Sequence, residues 1–162
     1  MPEQKIKSHD HFVAKAMARD YVSKEILDSY LPSEVRKLID LNTLQQCNTK
    51  LLSNILGEGI VDFLYKVKFR GKEGYLSILL EHQSNPDKDM TFRIQKYILR
   101  ICDEHLRKNP GSKFPLIYPI IFYTGKTKYN APKSFYDLFD DPELAKKFLT
   151  EELTVISIRD IE

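Results

Sequence analysis

The fold can be predicted from one stretch of sequence: VDFLYKVKF at residues 61–69, the glycine-containing RGKEG at residues 70–74 and YLSILLEHQ at residues 75–83. Polar and apolar residues alternate on both sides of the glycines, which predicts two half-buried strands. Glycine and charged residues between two such strands are typical of a tight connection. The sequence therefore predicts an antiparallel β-hairpin over residues 61–83.

The register of this hairpin decides which side chains meet. We expect residues 71–74 to form the loop, which places Asp62 opposite Gln83 and Leu64 opposite Glu81. Residues opposite one another in an antiparallel pair project to the same face. Asp62, Glu81 and Gln83 are therefore expected on one surface, away from the turn. A slip of one residue would move Asp62 to the other face.

Outside the hairpin, apolar periodicity and chain-breaking residues predict the remaining elements. Pro119 within an apolar strand indicates an edge position or a bulge. The predicted elements are one or two helices over 11–31 ended by Pro32, a short helix from Ser33, a loop or irregular strand over 42–54, a helix over 91–108, a strand over 116–123, a helix over 134–149 interrupted at Pro142, and a short strand over 153–158.

This order of elements predicts an α/β fold in which helices flank a mixed sheet with an antiparallel hairpin. The length of 162 residues suits a single domain. Residues 1–57 are expected to form a mainly helical N-terminal part, and residues 59–162 a sheet core with flanking helices.

Composition excludes several classes of protein. Hydrophobic residues make up 42% and charged residues 30%, which fits a globular chain and not a disordered one. The formal net charge of +2 is too small to indicate nucleic acid by itself. Neither cysteine belongs to a C-x-x-C pair, and no signal peptide or apolar run of about 18 residues is present. We expect a cytoplasmic protein without membrane contact.

The acidic residues of the hairpin are candidates for a metal site. Two carboxylates on adjacent strands suit a hard divalent cation such as Mg²⁺, which prefers oxygen ligands. Alternatively, Asp62 and Glu81 are strand-end residues in solvent, paired with Lys66 and Lys68. The apolar run that leads directly into Glu81 argues against this alternative, because carboxylates are almost never fully buried without a partner.

Several stretches resemble one family. GYLSILLEHQS at residues 74–84 and VDFLYKV at residues 61–67 are similar to the Rpn family, the recombination-promoting nuclease or transposase group of the PD-(D/E)XK superfamily. Further matches follow in the family's order over nearly the whole chain: HDHF at 9–12, YLP at 30–32, Arg93, Tyr97 and PIIFYTG at 119–125.

The resemblance implies a restriction-endonuclease-like core that cuts DNA with Mg²⁺ or Mn²⁺. It implies that Asp62 and Glu81 are the metal ligands and that Gln83 is the third catalytic residue. Gln83 stands where the wider superfamily has lysine, although the family resembled here usually has glutamine at this place. Glutamine supplies hydrogen bonds but no positive charge. Family members continue beyond the nuclease core, so we expect this chain to be shorter than full-length members.

Weaker candidates complete the set. Glu58, just before the first strand, is a candidate for an extra metal ligand, and Arg93, Lys96 and Arg100 are candidates for contacts with DNA phosphates. A solvated helix face is the ordinary explanation of these cations. The functions to be separated are a Mg²⁺-dependent DNA endonuclease, an inactive nuclease-fold module that binds DNA or protein, and a self-associating scaffold that forms a homodimer.

Overall fold

The predicted hairpin forms the centre of a four-stranded mixed sheet. The computed structural model describes residues 15–17, 19–47 and 60–160. The strands follow the spatial order β1-β2-β3-β4, with β1–β2 and β2–β3 antiparallel and β3–β4 parallel. Their bounds are β1 Ile39–Cys47, β2 Ile60–Phe69, β3 Lys72–Glu81 and β4 Leu116–Tyr123.

Helices cover the sheet on both faces, as the sequence predicted. Their bounds are α1 Asp20–Tyr30, α2 Ser33–Arg36, α3 Met90–Lys108 and α4 Pro142–Thr150, with short 3₁₀ helices at Phe135–Leu138 and Ile158–Asp160. The mixed α/β prediction is confirmed, and the arrangement is consistent with a nuclease-like core. Among the described residues, no helix has the length and apolar character needed to cross a membrane.

The hairpin turn differs from the prediction. The two strands are joined by Arg70 and Gly71 alone, and Phe69 pairs with Lys72. Both turn residues have positive φ, 48° and 77°, which is the geometry of the two-residue turn that matches strand twist. The Arg70 N–H also donates to the Leu38 carbonyl at 2.8 Å, which fixes the turn against the start of β1.

The predicted register was therefore wrong, although Asp62 and Glu81 do lie on one face of the hairpin. Asp62 pairs with Leu79 rather than with Gln83, and Glu81 pairs with Ile60. The error came from Gly74, which belongs to β3 and not to the loop: a Cβ there would meet the Leu116 carbonyl oxygen at 2.5 Å. The observed register differs from the predicted one by an even number of residues, so Asp62 still shares a face with Glu81.

Each face of the sheet has its own hydrophobic core. On one face, residues of β2 and β3 such as Tyr65 and Ile78 pack with Met17 and with Leu27 of α1. On the other, Leu64 and Leu79 pack against one side of α3, including Ile94 and Tyr97. The second face is the one to which Asp62 and Glu81 belong, so α3 lies over the predicted site.

Three other predictions have clear outcomes. β4 lies at the edge of the described sheet, as Pro119 indicated. Of the stretch 42–54, left open as loop or strand, residues 42–47 belong to β1, whose pairing is irregular between Asp40 and Gln45, and residues 48–54 lie outside the described part of the chain. The helix predicted over 134–149 is divided into the 3₁₀ helix and α4, each capped by a side chain, Ser134 and Asp141 respectively.

The final predicted strand was wrong. Residues 152–157 have no regular secondary structure and are followed by a 3₁₀ turn. The apolar side chains of this segment are exposed: Leu153, Val155, Ile156 and Ile158. Alternation reports which residues would share a face of a strand but does not provide a neighbouring strand, and none of the described strands pairs with this segment.

Candidate active site

Glu81 is the last residue of β3 and is completely buried, with 0% of its surface exposed. Its Oε1 accepts a hydrogen bond from the Asp87 N–H at 2.9 Å. Its Oε2 is buried and has no hydrogen-bond partner in the described part of the chain. A buried carboxylate oxygen without a donor or a cation is costly, so this position is suited to a positively charged ligand.

The protonation of Glu81 reflects this environment. Burial raises the pKa of the Glu81 carboxyl above its ordinary value, and the negative charge of Asp87 adds to the increase. The hydrogen bond from the Asp87 N–H and the charge of Arg93 lower this pKa and oppose the effect. A divalent cation beside the carboxylate would act in the same direction as Arg93.

Asp62 lies on β2, where α3 crosses the same face of the sheet. The Tyr97 hydroxyl, from the middle of α3, donates to Asp62 Oδ2 at 2.6 Å. Burial and the Asp62 carboxylate raise the pKa of Tyr97, so the phenol remains a donor at any ordinary pH. Tyr97 is itself 0% exposed, and this contact therefore fixes the orientation of the Asp62 carboxylate from within the core.

The two carboxylates are diagonal neighbours on adjacent strands. Glu81 pairs with Ile60, and Asp62 is two residues further along β2. Diagonal neighbours of this kind have Cα atoms about 7–8 Å apart, with Cβ atoms somewhat closer. Side chains at that spacing reach one bound ion from two sides. The alternative pairing with lysines is excluded for Lys66, which binds Glu73 at 2.8 Å.

Asp87 and Arg93 form a supporting network that the sequence did not reveal. Asp87 Oδ2 and Arg93 Nη1 are 3.1 Å apart, and Asp87 Oδ1 accepts from the Asp89 N–H at 2.9 Å. These contacts hold the Asp87 N–H on Glu81. The available signal was Asp87 itself, in the turn sequence SNPD at residues 84–87. A turn residue of this type has too many possible partners for a prediction.

Gln83 lies two residues beyond the last ladder pair, so strand alternation does not determine its direction. It is half-buried, in the loop between β3 and α3. This loop is tied to the segment after β4: the Thr124 N–H donates to the Glu81 carbonyl at 2.9 Å, and the Tyr123 hydroxyl donates to the Ser84 carbonyl at 3.1 Å. Gln83 is thus kept close in sequence and in space to Glu81, while His82 is exposed.

The other predicted site residues are dispersed. Glu58 lies outside the described residues. Arg93 is engaged by Asp87, Lys96 lies 4.8 Å from the centre of the Phe92 ring, and Arg100 is exposed on α3. In the described ranges, no cluster of three or more His, Cys, Asp or Glu side chains is placed to hold a metal ion.

Three exposed lysines were not among the predicted site residues. Lys126, Lys128 and Lys133 lie on the segment that follows β4, which the Thr124 and Tyr123 contacts attach to the Glu81 loop. The sequence GKTKYNAPK at residues 125–133 contains the signal, because lysines alternate there with polar residues and an aromatic. They bring positive charge to the same end of the sheet as the two carboxylates.

Comparison with known proteins assigns the chain to a family. Residues 7–162 match the family described as "Putative transposase, YhgA-like". The chain is 34% identical over 93% of its length to recombination-promoting nuclease RpnC of Escherichia coli K12, covering 50% of that protein. It is 27% identical over 93% of its length to recombination-promoting nuclease RpnD of Escherichia coli O157:H7, covering 58% of it.

One relative has a different description. The chain is 32% identical over 93% of its length to the inactive recombination-promoting nuclease-like protein RpnE of Escherichia coli K12, covering 50% of that protein. The chain thus spans about half the length of the curated relatives it matches. No solved structure matches the chain.

Proposed function

The chain belongs to the YhgA-like putative transposase family and is similar to recombination-promoting nucleases, and on that premise we propose that it is a divalent-metal-dependent DNA endonuclease domain. The reaction is hydrolysis of a phosphodiester bond. The observation that supports it best is Glu81, a fully buried carboxylate with one unpartnered oxygen, on the same face as Asp62.

The two carboxylates fit Mg²⁺ or Mn²⁺. Mg²⁺ is commonly held by one or two protein carboxylates and keeps several water ligands, so a cluster of three acidic side chains is not required. The unpartnered Oε2 of Glu81 is an oxygen donor in a buried position, and Tyr97 holds Asp62 in a fixed orientation. When bound, such an ion stabilises charge on the phosphate and helps to generate hydroxide from water.

The protein groups have separate tasks in this proposal. Asp62 and Glu81 bind the ion, and the Asp87 N–H keeps the Glu81 carboxylate aligned. The Gln83 amide oxygen accepts a hydrogen bond from the attacking water, or its NH₂ group donates to a phosphate oxygen. Because glutamine has no charge, it stabilises a developing anion less than lysine would, and we expect slow turnover.

Exposed positive charge on α3 and on the segment after β4 supports DNA as the substrate. Lys126 and Lys128 on the segment after β4, with Lys96 and Arg100 on α3, are exposed cations available to phosphates. Arg93 is a weaker candidate for this role than its neighbours, because its ion pair with Asp87 already occupies it within the site. Contacts of this type bind the backbone without reading base sequence.

Plasmid cleavage by the purified chain tests the proposal. We expect nicking with Mg²⁺ or Mn²⁺ that is lost with EDTA and in Asp62→Ala, while Asp103→Ala, an exposed acidic position on α3, cleaves like wild type. Folding of each variant is confirmed by circular dichroism. Cleavage by Asp62→Ala at the wild-type rate would overturn the assignment of the site.

A second candidate function is a nuclease-fold module that binds DNA or a protein partner without cutting. Gln83 in place of lysine supports it, as does the similarity to a relative described as inactive. It predicts salt-sensitive DNA binding and no metal-dependent products in the same assay. Nicking that depends on Asp62 excludes it.

A further inference from the structure

A cavity of about 470 Å³ lies over β4, the strand next to the one that carries Glu81. Its floor is the α3-facing side of β4, formed by Pro119, Ile121 and Tyr123. The first turns of α3 and the segment that leads into the first 3₁₀ helix provide the other walls, with Thr91, Ile94, Gln95, Tyr129, Pro132, Lys133 and Phe135. The proposed reaction uses none of these side chains.

The position of the cavity follows from the register of the parallel strands. Tyr123 is the ladder partner of Glu81, and Ile121 is the partner of Leu79. Partners in a parallel ladder project to the same face, and neighbouring strands are about 4.8 Å apart. The cavity therefore begins one strand away from Glu81 and two strands away from Asp62.

Three aromatic side chains, Tyr123, Tyr129 and Phe135, line the cavity, and two of its polar groups have no partner among the described residues. The Tyr129 ring contacts the Tyr123 ring at 5.3 Å between centroids, and Phe135 stacks on Phe92 at 6.5 Å. The hydroxyls of Tyr129 and Thr91 are buried and form no hydrogen bond with any described residue. An unsatisfied buried hydroxyl is unfavourable, and this favours a ligand with hydrogen-bonding edges.

We propose that this cavity receives one unpaired nucleobase of the DNA, flanked by the aromatic rings of Tyr129 and Phe135 and hydrogen-bonded by the Thr91 and Tyr129 hydroxyls. The inference rests on the proposed function, because it takes DNA as the ligand. A base has a planar apolar face that stacks on aromatic side chains and a polar edge that pairs with hydroxyl and amide groups.

The charge around the cavity favours a nucleotide over an apolar peptide side chain. Lys133 is exposed at the lining, and Lys126 and Lys128 lie on the same segment. These cations are placed to hold the phosphates on either side of a base. Burial and the negative charges of Glu81 and Asp87 also raise the pKa of the Tyr129 phenol, so it stays a hydrogen-bond donor.

Two labelled DNA duplexes of the same length and charge test the proposal. One contains a single unpaired base in one strand, and the other contains an abasic residue at the same point. Fluorescence anisotropy in EDTA measures binding without cleavage. We expect the chain to bind the duplex with the unpaired base about tenfold more tightly, since stacking and hydrogen bonding of one base give an effect of this order.

Variants connect this preference to the cavity. Gln95→Trp is at an exposed helix position on the cavity lining and should abolish the preference, whereas Leu99→Trp, one turn further and 64% exposed, should preserve it. Tyr129→Phe removes only a hydroxyl and should reduce the preference about threefold or more. Its control, Tyr118→Phe, is on the opposite face of β4 and should leave the preference unchanged.

The outcomes separate this inference from the proposed function. Equal binding of the two duplexes by wild type, or a preference that survives Gln95→Trp, overturns the base pocket, whatever the result of the plasmid assay. A base preference in a chain that does not nick plasmids supports the pocket and contradicts the endonuclease. Failure to bind either duplex in EDTA contradicts the pocket, while the plasmid assay with Mg²⁺ decides the endonuclease separately.

Discussion

At the residue scale, the Asp62–Tyr97 contact explains how a carboxylate at a half-exposed strand position keeps one orientation. A phenol that is 0% exposed and held on a helix donates to it at 2.6 Å. Groups that orient a metal ligand in this way typically change metal affinity or activity by about 10–100-fold when removed.

Tyr97→Phe is therefore expected to reduce Mg²⁺-dependent nicking by about 10–100-fold while the ring still fills the core. The rate of plasmid nicking at saturating DNA measures the effect. Tyr118→Phe, on the other face of the sheet, serves as the matched control. If both variants nick at the same rate, Tyr97 has no part in orienting Asp62.

The raised pKa of Glu81 predicts a dependence of stability on pH. The folded chain binds this proton more tightly than the unfolded chain, whose glutamate pKa is about 4.3. The stabilisation is fully present below that value and is lost as the pH rises through the higher pKa of the folded state. At neutral pH the ionised carboxylate therefore destabilises the metal-free fold.

Glu81→Gln keeps the acceptor for the Asp87 N–H and removes the charge. We expect it to raise the free energy of unfolding at pH 8 in EDTA, by about 1.4 kcal/mol for every tenfold difference in proton affinity between the folded and unfolded states. The difference should disappear below pH of about 4. Urea titrations at the two pH values measure it. A variant less stable than wild type at pH 8 would show that the Glu81 charge is compensated within the protein.

At the element scale, the two glycines of the hairpin have different tasks. Gly71 has φ of 77° in open space, while Gly74 has β4 and the Phe69 ring within 3 Å of a hypothetical Cβ. Sequence alone supported a turn at either glycine, since both residues suit turns. Only the approach of β4, a strand more than 40 residues later, identifies Gly74 as a packing position.

Gly74→Ala should destabilise the chain by about 1–3 kcal/mol, since the added methyl meets a backbone carbonyl that is held in the sheet. Gly111→Ala is a control without steric contact, because nothing lies within 4 Å of its Cβ and only its positive φ opposes alanine. Denaturation midpoints compare the two. Unchanged stability of Gly74→Ala would mean that β4 does not approach β3 as closely as described.

The segment after β4 predicts how binding depends on salt. Each lysine that contacts a phosphate releases about one counterion, so its removal should reduce the slope of log K against log salt by about one. Lys126→Ala with Lys128→Ala should thus reduce the slope by about two. Lys113→Ala, an exposed lysine before β4, is the control. An unchanged slope in the double variant would exclude this segment from the DNA interface.

Which elements could be predicted depends on the kind of pattern that defines them. β2, β4 and α3 were predicted within one residue of their ends because each has an uninterrupted apolar pattern. β2 alternates, β4 is a continuous apolar run and α3 has an apolar stripe at helical spacing. β1 was left open because its exposed polar residues and irregular pairing obscure the alternation. The strand predicted over 153–158 failed because alternation does not determine whether a partner strand is available.

At the scale of the whole molecule, the site depends on which residues share a face of the sheet and on how α3 packs across that face. Asp62 and Glu81 share a face for any even shift of register, so their convergence could be predicted even from the wrong loop. The contacts that define the site, Tyr97 to Asp62 and Asp87 to Glu81, come from α3 and its preceding loop. Their alignment depends on how α3 packs across the sheet, which no local pattern encodes.

The extra metal ligand proposed at Glu58 is a separate question at this scale. Glu58 precedes β2 in sequence and lies outside the described residues. If it binds the ion, Glu58→Gln should weaken Mn²⁺ binding, though less than loss of Asp62. Unchanged affinity would remove it from the site without affecting the two central ligands.

Calorimetric titration of the chain with Mn²⁺ tests directly whether Asp62 and Glu81 bind a divalent ion. Wild type, Asp62→Asn and Glu81→Gln are compared at the same pH, with folding confirmed for each and with Asp103→Asn as the matched surface control. We expect one specific ion per wild-type and control chain, and an affinity at least about tenfold weaker in each of the two site variants. Equal Mn²⁺ affinity in all four proteins would contradict this expectation.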